Sequence, residues 1–273
     1  NDPNFFPIGT YYQSVSRAQL YKDAGFNLYI NPTPLSSYIL NTLQSAGMKG
    51  IFPQTTEGLA ALNASNSSAL YAWTINTDEP DNAQSDGQGG YLPCVNPNLI
   101  VDEYNTIKAN DPSRPIYLGL GSGVSDICWS GLGACKCNTD KYKMLKNGYT
   151  NGCDIVSYDI YPVNGYYSAE VAGNLWYVPK GVDSLKTWSL NSKPVWTTIE
   201  TTKTRTNSKR QPTPVEVKAE VWMALIHGAT GISYFCHVMS PTFDEAGLLH
   251  DATMLAAVSA INHQITSLAP ILN

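Results

Sequence analysis

Short runs of β-forming residues alternate with longer segments of helical periodicity along the 273-residue chain, and this alternation limits the possible folds more than any other feature. Eight runs have the composition of strands, and each is followed by a segment that can form a helix. The predicted strands cover residues 7–13, 27–31, 49–54, 70–78, 116–121, 154–161, 195–200 and 231–237. Eight such units close into a barrel of parallel strands with helices outside. The sequence therefore predicts the α/β class and a (β/α)8 TIM barrel.

The predicted helices carry recognisable start and stop signals. In "TPVEVKAEVWMALIHGA", Thr213 has the position of an N-cap, Pro214 that of the first helical residue, and Glu216 completes a capping box. Gly25 and Gly47 follow two earlier helices, where a left-handed residue is favoured. No linker rich in Pro, Gly or Ser divides the chain, so we expect residues 1–273 to form a single catalytic domain.

The composition excludes two classes of partner. A net charge of −5 offers no basic surface to the phosphates of nucleic acids. No apolar run approaches the roughly 20 residues that cross a bilayer, so a membrane is not expected either. Hydrophobic residues make up 43% of the chain and charged residues only 14%, a low charge density that favours a secreted, extracellular protein.

The cysteines also favour an oxidising compartment. Cys135 and Cys137 are separated by one residue, which is too tight for a zinc knuckle, and the four histidines are scattered singly. We therefore expect disulfides, no metal centre and no cofactor. Asn63 and Asn66 begin N-glycosylation patterns in a polar run, as in a secreted glycoprotein. The remaining cysteines are Cys94, Cys128, Cys153 and Cys236, and we expect Cys128 to share the fifth βα loop with Cys135 and Cys137, the pairing staying open.

Two separate stretches end on carboxylates. Asp78 and Glu79, in "AWTINTDEPDN", end the predicted fourth strand, and Glu200, in "VWTTIETT", ends the seventh. The carboxyl ends of barrel strands meet at one rim, where the chemistry of this fold is placed. Two carboxylates about 5 Å apart are what the double-displacement hydrolysis of a glycoside requires. The pattern predicts a retaining glycoside hydrolase, although an acid at Glu79 would also suit a helix N-terminus.

The neighbours of each glutamate suggest its role. The charges of Asp78 and Glu200 would raise the pKa of Glu79, which makes Glu79 the expected acid/base. Glu200 stands among hydroxyls that can donate to a carboxylate and keep it ionised, so it is the expected nucleophile. These hydroxyls belong to Thr197, Thr198, Thr201 and Thr202.

On these motifs the whole chain resembles a clan A glycoside hydrolase, a retaining (β/α)8 group. The resemblance implies that Glu79 is the acid/base and Glu200 the nucleophile. The clan commonly has Asn before the acid/base, whereas this chain has Asp78. Asp78 could contact the sugar or accept a hydrogen bond from within the protein. In "SYDIYP", the resemblance implies that Tyr161 hydrogen-bonds the nucleophile, and Tyr158 and Asp159 are further candidate substrate contacts.

Other residues near the predicted rim are candidate substrate contacts. "SYFCH" offers Tyr234 or Phe235 where the clan commonly has an aromatic floor, and Asn31 stands where several of its families have an arginine. Trp129, in a loop without apolar periodicity, is a candidate stacking platform, as are Tyr11 and Tyr12. His237 could equally be a residue of the site or a buried core histidine whose hydrogen bonds are made within the protein.

The rim loops bear on the substrate and the mode of action. Long connections at 80–96, 122–139 and 201–211 resemble the walls of a cleft, so we expect a monomeric endo-acting β-glycanase on a polysaccharide or oligosaccharide. The basic residues Lys203, Arg205, Lys209 and Arg210 would attract an acidic polysaccharide or belong to a solvated loop. An inactive barrel that only binds carbohydrate or protein is the alternative.

Overall fold

Eight parallel strands form a closed barrel in the computed structural model, which describes residues 2–32, 34–63, 65–82, 84–126, 148–164, 169–205 and 208–273. The strands are β1 (Ile8–Tyr11), β2 (Leu28–Ile30), β3 (Lys49–Pro53), β4 (Leu70–Thr74), β5 (Ile116–Leu120), β6 (Ile155–Asp159), β7 (Val195–Glu200) and β8 (Gly231–Phe235). Each strand pairs in parallel with its neighbours along the chain, and β8 pairs with β1. The prediction of a (β/α)8 TIM barrel is confirmed.

The helices lie outside this barrel. In the described ranges they are α1 (Ala18–Asp23), α2 (Ser37–Ser45), α3 (Thr56–Ala60), α4 (Pro97–Asn110), α5 (Tyr177–Trp188), α6 (Pro214–Ile226), α7 (Gly247–His250) and α8 (Ala252–Leu272). The capping box of α6 is confirmed, because Thr213 and Glu216 bond each other's backbone amides. A two-stranded hairpin, Gln84–Ser85 with Tyr91–Leu92, projects from the loop after β4.

The core has two parts because each strand is buried on both faces. One cluster fills the barrel interior and includes Tyr117 and Trp196, whose ring centroids lie 5.6 Å apart. The larger cluster lies between the strands and the helices. Trp73 belongs to this outer part, where its indole Nε1 donates to Asp111 Oδ2 at 2.8 Å. The tryptophans of β4 and β7 therefore serve packing.

Strand β4 ends earlier than the sequence predicts. The backbone amide of Ile75 still donates to Tyr117 on β5, but that of Asn76 donates to the side chain of Glu103 on α4, at 2.8 Å. The chain then leaves the sheet. Asp78 and Glu79 consequently lie in the loop after β4 rather than at its last residues, although they remain at the carboxyl rim.

The cysteine and glycosylation expectations need correction. Cys153 and Cys236 are buried free thiols, so the expectation of disulfides is wrong for these two. Cys94 is disulfide-bonded, whereas Cys128, Cys135 and Cys137 lie outside the described residues. Asn66 is 4% exposed and its side chain donates to Asn41 Oδ1 at 2.9 Å, so it is no surface acceptor in the folded chain. The side chain of Asn63 is outside the described set.

Helix α8 spans 21 residues and, within the described ranges, is the one helix long and apolar enough to cross a bilayer. In the folded chain it packs against α6 and α7. Its buried residues include Val258, Ile261 and Ile265, and its Asn262 accepts a hydrogen bond from Tyr234 of β8 at 2.8 Å. The helix thus covers the outer face of the barrel.

Candidate active site

A cavity of about 230 Å³ opens at the carboxyl rim of the barrel. It holds three carboxyl groups, from Asp78 and Glu79 of the β4 loop and from Asp159, the last residue of β6. Arg205, from the loop after β7, adds a positive charge. Aromatic rings form much of the remaining wall, and they belong to Tyr11, Tyr12, Tyr161 and Phe235.

The Glu79 and Asp159 carboxyl groups both line the cavity and interact directly, since each shifts the pKa of the other. Glu79 also accepts from Asn82 Nδ2, 2.5 Å from Glu79 Oε2. Asp159 accepts a further hydrogen bond from the Tyr161 hydroxyl. Carboxyl groups so close cannot both be ionised at low cost, so the pair holds a proton at neutral pH.

The surroundings place this proton on Glu79. Burial raises the pKa of Glu79 well above its ordinary value, the Asp159 charge and the Asp81 charge add to the effect, and Arg205 opposes it. Burial also raises the pKa of Asp159, but hydrogen bonds from Glu79 and Tyr161 stabilise its charged form. The predicted direction for Glu79 is confirmed. Besides burial, the raised pKa of Glu79 is caused chiefly by Asp159, whereas the sequence predicts Asp78 and Glu200 as the causes.

Asp78 lies at the entrance of the same cavity. The hydroxyl of Tyr12 donates to Asp78 Oδ2 at 3.4 Å. The residue is exposed and lines the cavity, where desolvation together with the Glu79 charge raises its pKa to about 7. Asp78 is therefore a group that changes charge near neutral pH.

Glu200 ends β7 as predicted, but it does not belong to the described lining of this cavity. It is 0% exposed. The backbone amides of Val163 and Asn164 donate to its two oxygens at 2.7 and 2.9 Å, and Asn164 Nδ2 donates as well. The Glu220 carboxyl group of α6 is its neighbour. The carboxylate is thus held by the loop after β6 and faces the helix layer.

The expected protection of the Glu200 charge by threonine hydroxyls is wrong. Thr198 bonds Ser233 at 2.7 Å, and Thr201 and Thr202 donate to backbone carbonyls of the β8 end. Burial raises the pKa of Glu200 to about 7, against the hydrogen bonds from Asn164 and Val163. Burial and the Glu200 charge raise the pKa of Glu220 as well. These two carboxyl groups form a second buried pair, separate from the cavity.

Three residues at the rim adopt left-handed backbone conformations that are uncommon for residues other than glycine. They are Tyr12 after β1, Asn31 after β2 and Glu79 after β4, with φ of 48°, 55° and 44°. Such conformations cost free energy and persist where the surroundings impose them, often at functional sites. Asn31 Nδ2 donates to the Tyr12 hydroxyl at 3.2 Å, but Asn31 lines a neighbouring cavity of about 400 Å³, not the carboxyl cavity.

The aromatic candidates divide by the face of the strand they occupy. Tyr161 and Phe235 line the cavity with ring centroids 5.5 Å apart. Tyr234 is 0% exposed and its hydroxyl donates to α8, so its expected substrate contact is wrong. Tyr158 borders the cavity, yet its hydroxyl donates to the backbone carbonyl of Val178 on α5 and is unavailable to a ligand. Successive side chains of a strand point to opposite faces, which explains both outcomes.

One further candidate, His237, is not among the described residues that line the cavity. His237 is largely buried, with Nε2 3.2 Å from the carbonyl oxygen of Tyr12 and its ring centroid 5.1 Å from that of Phe235. Burial lowers its pKa, so it is a neutral packing residue that supports the rim. Trp129 lies outside the described residues.

Sequence reasoning missed Arg205, Asn82 and Asn164. The sequence places Arg205 in a basic cluster that attracts an acidic polysaccharide or is a solvated loop, but it does not indicate that Arg205 lines the cavity, where its charge acts on Glu79 and Asp159. Asn82 follows Glu79 by three residues, a spacing that suits a local side-chain contact and would have been a usable signal. Asn164 has no comparable signal, because its partners come from β7. In the described ranges, no group of three His, Cys, Asp or Glu side chains is arranged to hold a metal ion.

No model of a known protein family matches this sequence, and no curated protein matches it. Solved structures do resemble it. A cold-adapted beta-galactosidase from Rahnella sp. R3 superposes with a TM-score of 0.62 and 13% identity, over 97% of this chain and 56% of that chain. A beta-glucuronidase from Bifidobacterium dentium superposes with a TM-score of 0.59 and 12% identity, over 94% of this chain and 46% of that chain.

A candidate alpha-L-fucosidase from Bacteroides thetaiotaomicron VPI-5482 is similar in size to this chain. It superposes with a TM-score of 0.58 and 12% identity, over 95% of this chain and 97% of that chain. By contrast, the chain spans about half the length of the galactosidase and the glucuronidase. At such low identities these likenesses show the fold: the chain has the eight-stranded barrel found in these glycoside hydrolases.

Proposed function

We propose that this protein is a glycoside hydrolase in which Glu79 protonates the departing sugar oxygen. The observation that carries the proposal is the pairing of the Glu79 and Asp159 carboxyl groups in an aromatic-lined cavity at the barrel mouth, where burial and the Asp159 charge raise the pKa of Glu79. Glycoside hydrolysis needs an acid that keeps its proton near neutral pH, because the leaving oxygen is a poor leaving group when charged. The likeness to barrels of known glycosidases supports the same class of reaction.

The walls of the cavity suit a carbohydrate. Tyr12 and Phe235 offer rings on which the apolar face of a sugar can stack, while Asp78 and Arg205 offer polar contacts to hydroxyl groups. The left-handed backbone at Glu79 directs the acid into the cavity from a loop. These features support a saccharide as the ligand.

The finer expectations from the sequence belong to the same proposal. We propose retention at the anomeric carbon, as in clan A, β-linked glycans as substrates, and internal cleavage of the chain. The long loops at the carboxyl rim support an open site, and the low charge density supports an exported enzyme. We propose that this enzyme acts as a monomer. Retention requires a carboxylate nucleophile in addition to Glu79.

The proposal is tested by hydrolysis of a panel of glucans, galactans, mannans, xylan and aryl glycosides, with the anomeric configuration of the product read by NMR. We expect Glu79→Gln to lower kcat/KM by about 10²–10⁴-fold, because general acid catalysis contributes that much. The loss should be smaller on a dinitrophenyl glycoside, whose leaving group needs no proton. Glu57→Gln, an exposed glutamate of α3, is the matched control and should keep full activity. Full activity in Glu79→Gln would refute the assignment.

One observation favours the alternative of a barrel that only binds carbohydrate. Glu200, the residue expected to attack the sugar, is fully buried and is not among the described residues that line the cavity. Calorimetry separates the two functions: a glycan that binds the wild type without being cleaved, with the same affinity for Glu79→Gln, would establish the binding module.

A further inference from the structure

We propose that a second cavity at the rim binds a further, uncharged sugar residue of the glycan whose bond is cleaved. This cavity has a volume of about 400 Å³ and lies beside the carboxyl cavity that contains Glu79. The inference rests on the proposed glycoside hydrolase function and adds a substrate class to it, a neutral glycan held over at least two units. The lining residues on which the argument depends are Tyr12, Ser14, Asn31, Ser36, Tyr38 and Glu245.

The two cavities share the side chain of Tyr12, which follows β1. Tyr12 lines both of them and is 41% exposed. On one side its hydroxyl donates to Asp78 Oδ2 at 3.4 Å, and on the other it accepts from Asn31 Nδ2 at 3.2 Å. A glycan that leaves the carboxyl cavity past Tyr12 therefore enters the second cavity.

The backbone at this boundary has an uncommon conformation. Tyr12 and Asn31 both lie in the left-handed region, with φ of 48° and 55°. Residues other than glycine adopt this region at a cost in free energy, and they persist there where ligands are held or chemistry is done. The two conformations bring the Asn31 amide onto the Tyr12 hydroxyl. Asn31 is therefore a positioning residue for the ring that the two cavities share.

The lining of the second cavity combines aromatic and hydroxyl groups. Tyr38, the second residue of α2, is 66% exposed and offers the face of its ring beside that of Tyr12. Ser14 and Ser36 are partly exposed and carry hydroxyls that can donate and accept. A sugar has an apolar face that stacks on aromatic rings and an edge of hydroxyl groups that needs such partners. This combination suits a single sugar residue.

Charge distinguishes the second cavity from the carboxyl cavity. Glu245 is the one carboxyl group among its described lining residues, and its Oε2 lies 2.8 Å from the Arg17 guanidinium. Its Oε1 accepts from the Ser14 amide at 2.5 Å. The charge of Glu245 is thus already offset within the protein. A uronic acid or an amino sugar would lose hydration here without gaining an unpaired opposite charge, so the cavity favours a neutral sugar.

The dependence of hydrolysis on chain length tests the assignment. The substrates are the disaccharide to the pentasaccharide of the glycan that the wild type hydrolyses fastest. We expect wild-type kcat/KM to rise with length until the second cavity is filled. Tyr38→Ala should lower the ratio of kcat/KM for the pentasaccharide to that for the disaccharide by about 3–10-fold, the size of one aromatic contact. The change should appear chiefly in KM, because the contact lies away from the bond that breaks.

Two further variants control for folding and for surface effects. Tyr38→Trp keeps a ring at this position and should keep the preference for the longer substrate. Ile226→Ala, at the carboxyl end of α6, removes a side chain that is 78% exposed and should leave the ratio unchanged. A wild-type kcat/KM independent of length, or an equal effect of Tyr38→Ala on every length, would overturn the inference alone. Absence of hydrolysis across the whole panel would instead refute the proposed function.

Calorimetry gives a second readout that does not depend on turnover. Binding of the same oligosaccharides is measured to Glu79→Gln and to Glu79→Gln combined with Tyr38→Ala. We expect the affinity of Glu79→Gln to increase with chain length, and the second substitution to remove most of this increase. Equal affinities of the two variants for the pentasaccharide would overturn the inference. A larger gain from added uronic acid units than from added neutral units would overturn the assignment of a neutral sugar.

Discussion

At the scale of single residues, the candidate site depends on which carboxyl group holds a proton. Glu79 and Asp159 form one titrating pair, so their two pKa values belong to the pair. The Tyr161 hydroxyl stabilises the charged form of Asp159, and Asn82 donates to Glu79. Each of these small contacts sets the pH range over which the acid is protonated and the second carboxylate is ionised.

Tyr161→Phe is expected to move the acid limb of the kcat/KM profile to higher pH. The tyrosine hydroxyl lowers the pKa of Asp159, so its removal raises that pKa further. Asp159 then ionises only at higher pH. Tyr104→Phe, which removes a hydroxyl donated to Asp154 outside the cavity, is the control and should leave the profile unchanged. An acid limb that stays in place or moves to lower pH would contradict the expected contact.

At the scale of elements, two loops at the carboxyl rim determine the shape of the site. The loop after β6 supplies Asn164, and the loop after β7 supplies Thr204 and Arg205. Asn164 is 0% exposed and connects the two loops, because it donates to Glu200 and to the Thr202 carbonyl and accepts from Thr204. These hydrogen bonds hold the loops after β6 and β7 together at the rim.

Asn164→Ala is expected to lower the free energy of unfolding by about 2–4 kcal/mol, because it leaves buried polar partners without hydrogen bonds. Urea denaturation followed by circular dichroism measures the change. Asn174→Ala removes an exposed asparagine and should alter stability by less than about 0.5 kcal/mol. Activity of the folded Asn164→Ala protein should also fall, since Arg205 loses its support. A stability equal to that of the Asn174→Ala control would show that the two loops do not depend on this residue.

At the scale of the whole molecule, the buried carboxyl groups make folding depend on pH. Burial raises the pKa values of Asp78 and Glu200 to about 7, and raises those of Glu79, Asp159 and Glu220. A group with a raised pKa binds its proton more tightly in the folded chain, so its stabilising effect is lost as the pH rises towards the folded pKa. Salt bridges and hydrogen bonds lower the pKa values of four other carboxyl groups, those of Asp111, Asp154, Glu216 and Asp244. The ionised forms of these four groups stabilise the fold, and this stabilisation is lost as the pH falls towards their lowered pKa values.

The thermal midpoint is therefore expected to be highest near pH 4–5, between these two opposing effects, and to fall as the pH rises to 8. Calorimetry from pH 3 to 9 measures it. Glu220→Gln removes one member of the buried pair beside Glu200 and should reduce the fall between pH 5 and 8. A midpoint that rises steadily from pH 5 to 8 in the wild type would contradict the assignment of buried, protonated carboxyls.

Much of the barrel was predictable from the sequence, but less of the site. All eight predicted strands contain an observed one, because a run of β-forming residues between helical segments is a local pattern. The fourth strand was predicted four residues too long. The Asn76 amide donates to the side chain of Glu103 on α4, and the pairing of β4 with β5 ends there. Along β8, the choice between Tyr234 and Phe235 depended on which face of the strand looks into the cavity.

The sequence by itself determined the closed barrel of parallel strands and the placing of Glu79 and Glu200 near its carboxyl rim, because both follow from the order of short segments. Only the tertiary structure decided that Asp159 joins Glu79 and that Glu200 is enclosed by the loop after β6. The direction of a side chain at a strand end depends on donors that other loops bring to it. Here the backbone amides of Val163 and Asn164 donate hydrogen bonds to Glu200. Nothing in the segment that contains Glu200 indicates these donors.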